Sequence, residues 1–229
     1  MKTIGLLGGT GWSSTIGYYQ TLNQLVNQKL GGYHSAKILL KSIDYHEIMS
    51  NYGKEHEHIA QILQRELEGL IALNPDCIMI CCNSLHKYYD MIKNNMNSTV
   101  PVFHAAELTA KYAREKNCYK VLLLATKFTM EDGFFAKILE ENGISVVTPN
   151  PEERDKMQTI HNELMKNSVT QESRNYFKNL IMAHQDLDAV ILGCTEYPLV
   201  VDPNDFALPI IDPAYLQATH AVDYALQQI

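Results

Sequence analysis

The sequence predicts an α/β protein made of two similar Rossmann-like or flavodoxin-like domains, each with a parallel sheet. Three observations predict it. Short apolar runs alternate along the 229 residues with helical stretches of ten or more residues, which is how parallel strands covered by helices read. The second half of the chain repeats the first in three collinear segments, and each half carries one cysteine at the end of an apolar run. Leu6-Leu7-Gly8-Gly9-Thr10 lies over Leu122-Leu123-Leu124-Ala125-Thr126 at an offset of 116 residues. The two cysteine segments, Ile78-Met79-Ile80-Cys81-Cys82-Asn83-Ser84 and Val190-Ile191-Leu192-Gly193-Cys194-Thr195-Glu196, follow at 112, and Val100-Pro101-Val102-Phe103-His104 over Leu208-Pro209-Ile210-Ile211-Asp212 at 108. A smoothly shrinking offset implies two equivalent halves with shorter connections in the second.

In order along the chain, residues 3–8 predict a strand that ends in Gly8-Gly9-Thr10-Gly11. Ser13 or Ser14 then caps a helix to Leu30, which Gly31-Gly32 stops. Strands at 37–43 and 76–81 flank a helix over 55–73, whose apolar residues at 59, 62, 63, 67 and 70 share one face. A helix over 85–96 leads to a short strand at 100–103, and a further helix runs to Asn117. The alternation resumes with strands at 119–125, 144–147, 188–193 and 209–211, helical material up to Asn142-Gly143, helices at 152–166 and 171–184, and a last helix from Pro213. The domains expected are 1–103 plus 212–229, with the final helix returning to the first, and 104–211.

Lys plus Arg number 19 against 26 for Asp plus Glu, a net charge of −7 with the basic residues scattered, which argues against nucleic acid or an anionic membrane as partner. Five cysteines without regular spacing do not suit a secreted disulfide framework, and no apolar stretch approaches the length of a membrane span. A cytoplasmic protein acting on a small molecule is the expectation.

In open parallel sheets ligands sit at the carboxyl ends of the strands, where Thr10, Cys82, Asn83, Ser84, Thr126, Cys194 and Thr195 all fall. Hydroxyls, an amide and helix N-termini hold a small carboxylate without a cofactor. A thiol at the start of a helix is a competent proton carrier, and two equivalent thiols form the simplest machinery for removing an α-hydrogen from one face of an amino acid and returning one to the other.

These motifs resemble the aspartate/glutamate racemase superfamily, the amino-acid racemases that work without pyridoxal phosphate, and within it the aspartate or broad-specificity branch. Cys82-Asn83-Ser84-Leu85-His86 is similar to the first cysteine motif, Gly193-Cys194-Thr195-Glu196 to the second, and Gly8-Gly9-Thr10-Gly11-Trp12-Ser13-Ser14-Thr15 to the N-terminal turn. Lys127-Phe128-Thr129-Met130 and Glu163-Leu164-Met165-Lys166 also look like family segments. The resemblance implies two domains related by a pseudo-twofold axis with the active site between them, commonly a homodimer, and no cofactor. It implies Cys82 and Cys194 as the two bases, Asn83, Ser84, Thr126 and Thr195 as carboxylate and amine contacts, and Lys166 as a side-chain carboxylate partner. Two departures bear on substrate. The turn is Gly-Gly-Thr where glutamate racemases have Asp-Ser, with Glu196 where they carry His, and Ser42 to His58 holds no Arg to grip a distal carboxylate.

Cys77, Cys81 and Cys118 read as core, since free cysteine is among the most buried residues and neighbours on a strand face opposite ways. Cys77, Cys81, Cys82 and His86 have the wrong spacing for a metal knuckle, so no metal is expected. The glycine turn with Asp44 lacks the third glycine of a dinucleotide fingerprint. His86 and Glu196 are candidates to tune the thiols, and His56 and His58 read as an exposed helix start. The alternatives are an isomerase or decarboxylase of another α-acid, or a dinucleotide- or metabolite-binding protein without turnover.

Overall fold

The computed structural model describes residues 1–227; Gln228 and Ile229, the end of the segment assigned above to the first domain, lie outside the described residues. The chain divides into two compact units, one made of Met1–Ala105 and the segment from Ala214, the other of Ala106–Pro213.

In the first unit the elements are β1 (Ile4–Gly8), α1 (Trp12–Leu30), β2 (Ile38–Ser42), the single turn α2 (His46–Met49), α3 (His56–Ile71), β3 (Cys77–Ile80) and α4 (Leu85–Ile92). β1 lies between β2 and β3 and is parallel to both. Central β1 is buried throughout, as is β3, whose outer side takes the bridge from Val102, whereas edge strand β2 is not. α3 seals one face with Ile59, Ile62, Leu63, Leu67 and Leu70, the apolar stripe of the sequence.

The second unit follows α5 (Ala105–Glu115) with β4 (Lys120–Leu124), α6 (Lys127–Asp132), α7 (Phe134–Glu141), β5 (Ser145–Val147), α8 (Pro151–Leu164), α9 (Gln171–Met182), β6 (Ala189–Leu192) and β7 (Ile210–Ile211). Its parallel sheet runs in the order β5-β4-β6-β7, so the first strand of the half is again flanked by the second and third. α10 (Pro213–Leu226) then returns to the first unit. There Gln217 Nε2 donates to the carbonyl of Phe103 at 2.6 Å and the Lys2 amide donates to the carbonyl of Ala225 at 3.0 Å.

Several boundaries differ from the sequence expectations for identifiable reasons. α1 is capped by Gly11, at φ 101°, and Ser13 and Ser14 lie inside the helix; a left-handed glycine turns the chain there, and the Ser14 hydroxyl donates back to the Gly11 carbonyl at 2.9 Å. The helix expected over 85–96 ends at Ile92 in a 3₁₀ turn, and the helical stretch before Asn142 is cut in two at Gly133, φ 78°. The strand expected at 100–103 reduces to one bridge between Val102 and Ile78, whose amide donates to the Pro101 carbonyl at 2.8 Å.

The sheets also correct the repeat by one residue. Ile4 pairs with Cys77 and Val121 with Ala189, so equivalent residues are 117 apart (121 − 4) in the first strand when they are 112 apart (189 − 77) in the third. The offset of 108 at the last segment is unchanged, because Val102 stands opposite Ile78 and Ile210 opposite Val190.

Candidate active site

Cys82 leaves the sheet one residue after its last ladder bond. The Cys81 amide donates to the Leu7 carbonyl at 2.9 Å, which buries the Cys81 side chain and turns that of Cys82 the other way, where it is half-buried. A turn through Asn83 and Ser84 then opens α4, with the Leu85 amide donating to the Cys82 carbonyl at 3.2 Å. Around the sulfur the hydroxyls close a ring. Ser84 Oγ lies 3.2 Å and Tyr45 Oη 3.5 Å from Cys82 Sγ, Tyr52 Oη is 2.8 Å from Ser84 Oγ, and the two phenols are 3.0 Å apart. Tyr45 and Tyr52 flank α2, which fully buried Ile48 anchors. Burial pushes both phenols well above their ordinary range, so both remain O–H groups.

The neighbouring expectations resolve as follows. Thr10 is buried and donates to the Cys81 carbonyl at 3.1 Å, tying the end of β1 to the cysteine segment. Gly9, at φ 86°, lets the same turn pass close to the end of β2, since a Cβ there would stand 2.2 Å from the Ile43 carbonyl oxygen. Asn83 is buried in the same turn. His86 takes no part in the hydroxyl ring around the sulfur. Its ring is fully buried, accepts from Gln217 Nε2 at 3.2 Å and lies over His104 with centroids 4.4 Å apart. Burial, and then His104, hold it well below the usual histidine value and hence neutral. His56 is not simply an exposed helix start either, because its Nδ1 meets the Tyr88 hydroxyl at 3.0 Å.

Cys194 occupies the matching position in the second unit. The Gly193 amide donates to the Leu124 carbonyl at 2.7 Å, the counterpart of Cys81 to Leu7. Gly193 is required there because a Cβ would stand 2.9 Å from that of Ala125. The surroundings of the sulfur are different. Buried Cys194 donates its S–H to Glu196 Oε2 at 3.1 Å, and Thr195 Oγ1 donates to the same oxygen at 2.9 Å. Glu196 is 4% exposed and its Oε1 has no hydrogen-bond partner among the described residues. His161, on the buried face of α8, brings Nε2 to 3.9 Å from Glu196 Oε2.

Donor atoms of His161, Cys194 and Glu196 all lie within 4.8 Å of one another, and imidazole, thiolate and carboxylate are metal-ligand types. The hydrogen bonds assign the ring another part. Gln158 Oε1 accepts from the Lys127 amide at 3.2 Å, so its Nε2 donates to His161 Nδ1 at 3.3 Å. With Nδ1 accepting, His161 turns an N–H rather than a lone pair towards the carboxylate. Burial lowers the His161 value, opposed by the charge of Glu196.

Two other expected contacts have local partners. Thr126 caps α6, its hydroxyl accepting from the Thr129 amide at 3.3 Å. Lys166 is 69% exposed at the side chain and paired with Glu163 at 2.9 Å. Burial pushes Cys77 up to about 12 and raises Cys81 and Cys118, as befits core thiols. The sequence reading missed Tyr45, Tyr52 and His161. His161 had a legible signal, a polar residue among Met157, Ile160 and Leu164 on one apolar helix face. The tyrosines sit in an irregular connection with no periodicity to mark them.

A family model described as Asp/Glu/Hydantoin racemase matches residues 7–221. A Yersinia pestis structure provisionally assigned as an Asp/Glu racemase is 37% identical, with a TM-score of 0.87 over 99% of this chain and 100% of its own. The aspartate racemase homologue PH1733 from Pyrococcus horikoshii OT3 is 30% identical, with a TM-score of 0.85 over 98% of this chain and 99% of its own. The broad specificity amino-acid racemase RacX of Bacillus subtilis strain 168 is 25% identical over 96% of each chain.

Proposed function

The chain belongs to the Asp/Glu/hydantoin racemase family and is an isomerase of that kind, and from that premise we propose a cofactor-independent amino-acid racemase in which Cys82 and Cys194 exchange roles as base and acid. One thiolate takes the α-hydrogen as a proton: the S–H bond forms as the C–H bond breaks and leaves its electron pair on carbon. The other thiol gives its proton to the opposite face, so the product is the enantiomer and each sulfur has changed state. The observation that carries this reading is the equivalence of the two positions, each one residue past a matching amide-to-carbonyl bond at a matching strand end.

The polar groups at those ends suit an amino acid's two charges. Asn83, Ser84, Thr126 and Thr195, with the N–H groups that open α4 and α6, stabilise the carboxylate as charge builds on the planar carbon. The Thr10 hydroxyl, its proton given to the Cys81 carbonyl, is left to accept from the ammonium group. Of the aspartate and broad-specificity readings we favour the second, because the side chains around Cys82 are neutral hydroxyls and Lys166 is paired with Glu163. Cytoplasmic location and a homodimer complete the proposal; no helix among the described residues is long and apolar enough to cross a membrane.

The test is solvent label. Each enantiomer of aspartate, glutamate and several neutral amino acids is incubated in heavy water with the enzyme and with Cys82→Ser and Cys194→Ser. Deuterium at the α-carbon together with inversion is expected for the enzyme, and loss of inversion in both variants. Inversion unaffected by both substitutions overturns the mechanism; label restricted to acidic substrates overturns the broad-specificity reading.

A further inference from the structure

We infer that Tyr45 and Tyr52, with Ser84, form a rotor ring that lets Cys82 gain and lose its proton without any heavy atom moving. The inference rests on the racemase reading and deepens it at one thiol. Counting protons around the four atoms shows why. As a thiol, Cys82 brings four protons to four contacts of 3.5, 3.0, 2.8 and 3.2 Å, and every group donates once and accepts once. When the sulfur is a thiolate three protons remain. Tyr45 and Ser84 then both donate to the sulfur, and Tyr52 donates to either of them. Only O–H torsions change, and a hydroxyl turns about its C–O bond far more readily than a packed side chain moves.

Two further features support it. The phenols keep their protons, since burial holds both well above the ordinary tyrosine range, so they serve as donors and not as competing bases. Tyr52 does not touch the sulfur, yet it closes the ring and orients both groups that do. Tyr45 and Tyr52 are therefore positioning residues that act through the sulfur. The inference concerns Cys82 alone, because Cys194 has a carboxylate where Cys82 has hydroxyls.

The experiment compares Tyr45→Phe and Tyr52→Phe with the unaltered enzyme, using α-protiated and α-deuterated forms of each enantiomer. Losing a donor to a charged sulfur predicts a fall in turnover of about tenfold for Tyr45→Phe and a smaller one for Tyr52→Phe. Proton transfer at Cys82 becomes more limiting, so the α-deuterium effect rises for the enantiomer whose hydrogen Cys82 accepts and falls for the other. A merely structural loss would lower all four rates together, and that result overturns the inference, as does unchanged turnover. A second readout needs no substrate. Tyr45→Phe should slow iodoacetamide capture of Cys82 several-fold at neutral pH, with an unchanged melting temperature showing that the fold persists. An unchanged alkylation rate overturns the ring. An unaltered enzyme that racemises nothing overturns the racemase reading instead, while alkylation still decides whether the hydroxyls act on the sulfur.

Discussion

The two cysteine turns match in backbone and part company in chemistry. Cys81 to Leu7 and Gly193 to Leu124 are the same bond, after which the next residue is the thiol, half-buried at Cys82 and buried at Cys194. Beyond that point Cys82 meets two neutral hydroxyls, of Ser84 and Tyr45, which Tyr52 links behind them, whereas Cys194 donates to a buried carboxylate that an imidazole N–H faces. The repeated strand plan fixes where the sulfurs stand. It leaves open how each is served, because the side chains that surround a strand end come from loops and helices whose lengths are free to diverge. The difference teaches that equivalent thiol positions need not share the same hydrogen-bond surroundings, and that one half of a repeated fold can be altered without the other.

The comparison can be broken or sharpened in order of size. Cys82→Ser and Cys194→Ser should each lower inversion by about 10³-fold or more, read by polarimetry, since neither hydroxyl replaces a thiolate as base. A variant keeping normal inversion would end the equivalence of the two positions. Glu196→Gln should cost about 10- to 100-fold in turnover and raise the α-deuterium effect for the enantiomer opposite to the one Tyr45→Phe affects, as an amide accepts more weakly than a carboxylate.

Gly193→Ala should destabilise by about 1–3 kcal/mol, measured by denaturant unfolding, because its Cβ would crowd Ala125 and come 3.0 Å from Leu123 Cδ1. Acid should weaken both units through their buried histidines. His86 in the first and His161 in the second are lowered in the folded state, so unfolding takes up protons. Stability is full above about pH 6.5 and falls below it by at most about 1.4 kcal/mol per pH unit per histidine. A denaturation midpoint unchanged between pH 7.5 and 5.5 would contradict this. At lower pH Asp90 adds to the loss: burial raises it, but His104 and Lys93 outweigh burial and hold it at about 2. Its contribution is present above pH 3.8 and disappears as pH falls towards 2. Smallest is Lys166→Ala, at no more than about 0.5 kcal/mol, because the pair with Glu163 is exposed. A rise in KM confined to acidic amino acids in that variant would make Lys166 a side-chain contact after all.

The α/β class and most strands were legible because each central strand is a short apolar run buried on both faces, a pattern that survives without neighbours. Register was less so. Residues 6–10 and 122–126 match equally well by letter at 116, and only the pairing of Ile4 with Cys77 and of Val121 with Ala189 fixes 117. Thr126 and Thr10 could be picked out as strand-end hydroxyls, but not their caps and carbonyl partners. Ser84 could likewise be placed at a strand end, but not its phenolic partner, Tyr52, which lies 32 residues away. His161 reaches Glu196 from a helix two elements earlier, which no local window reveals.

α10 closes the first unit by returning to it after the whole of the second. On the ribosome the intervening unit therefore has all of its strands before the outer one has its final helix. Phe103 waits for Gln217 to be made, and until then the face that α10 covers, including Tyr18, whose hydroxyl donates to Gln217 at 2.8 Å, stays open. The inner unit is therefore complete in sequence before the outer one, which is finished only once α10 has been made.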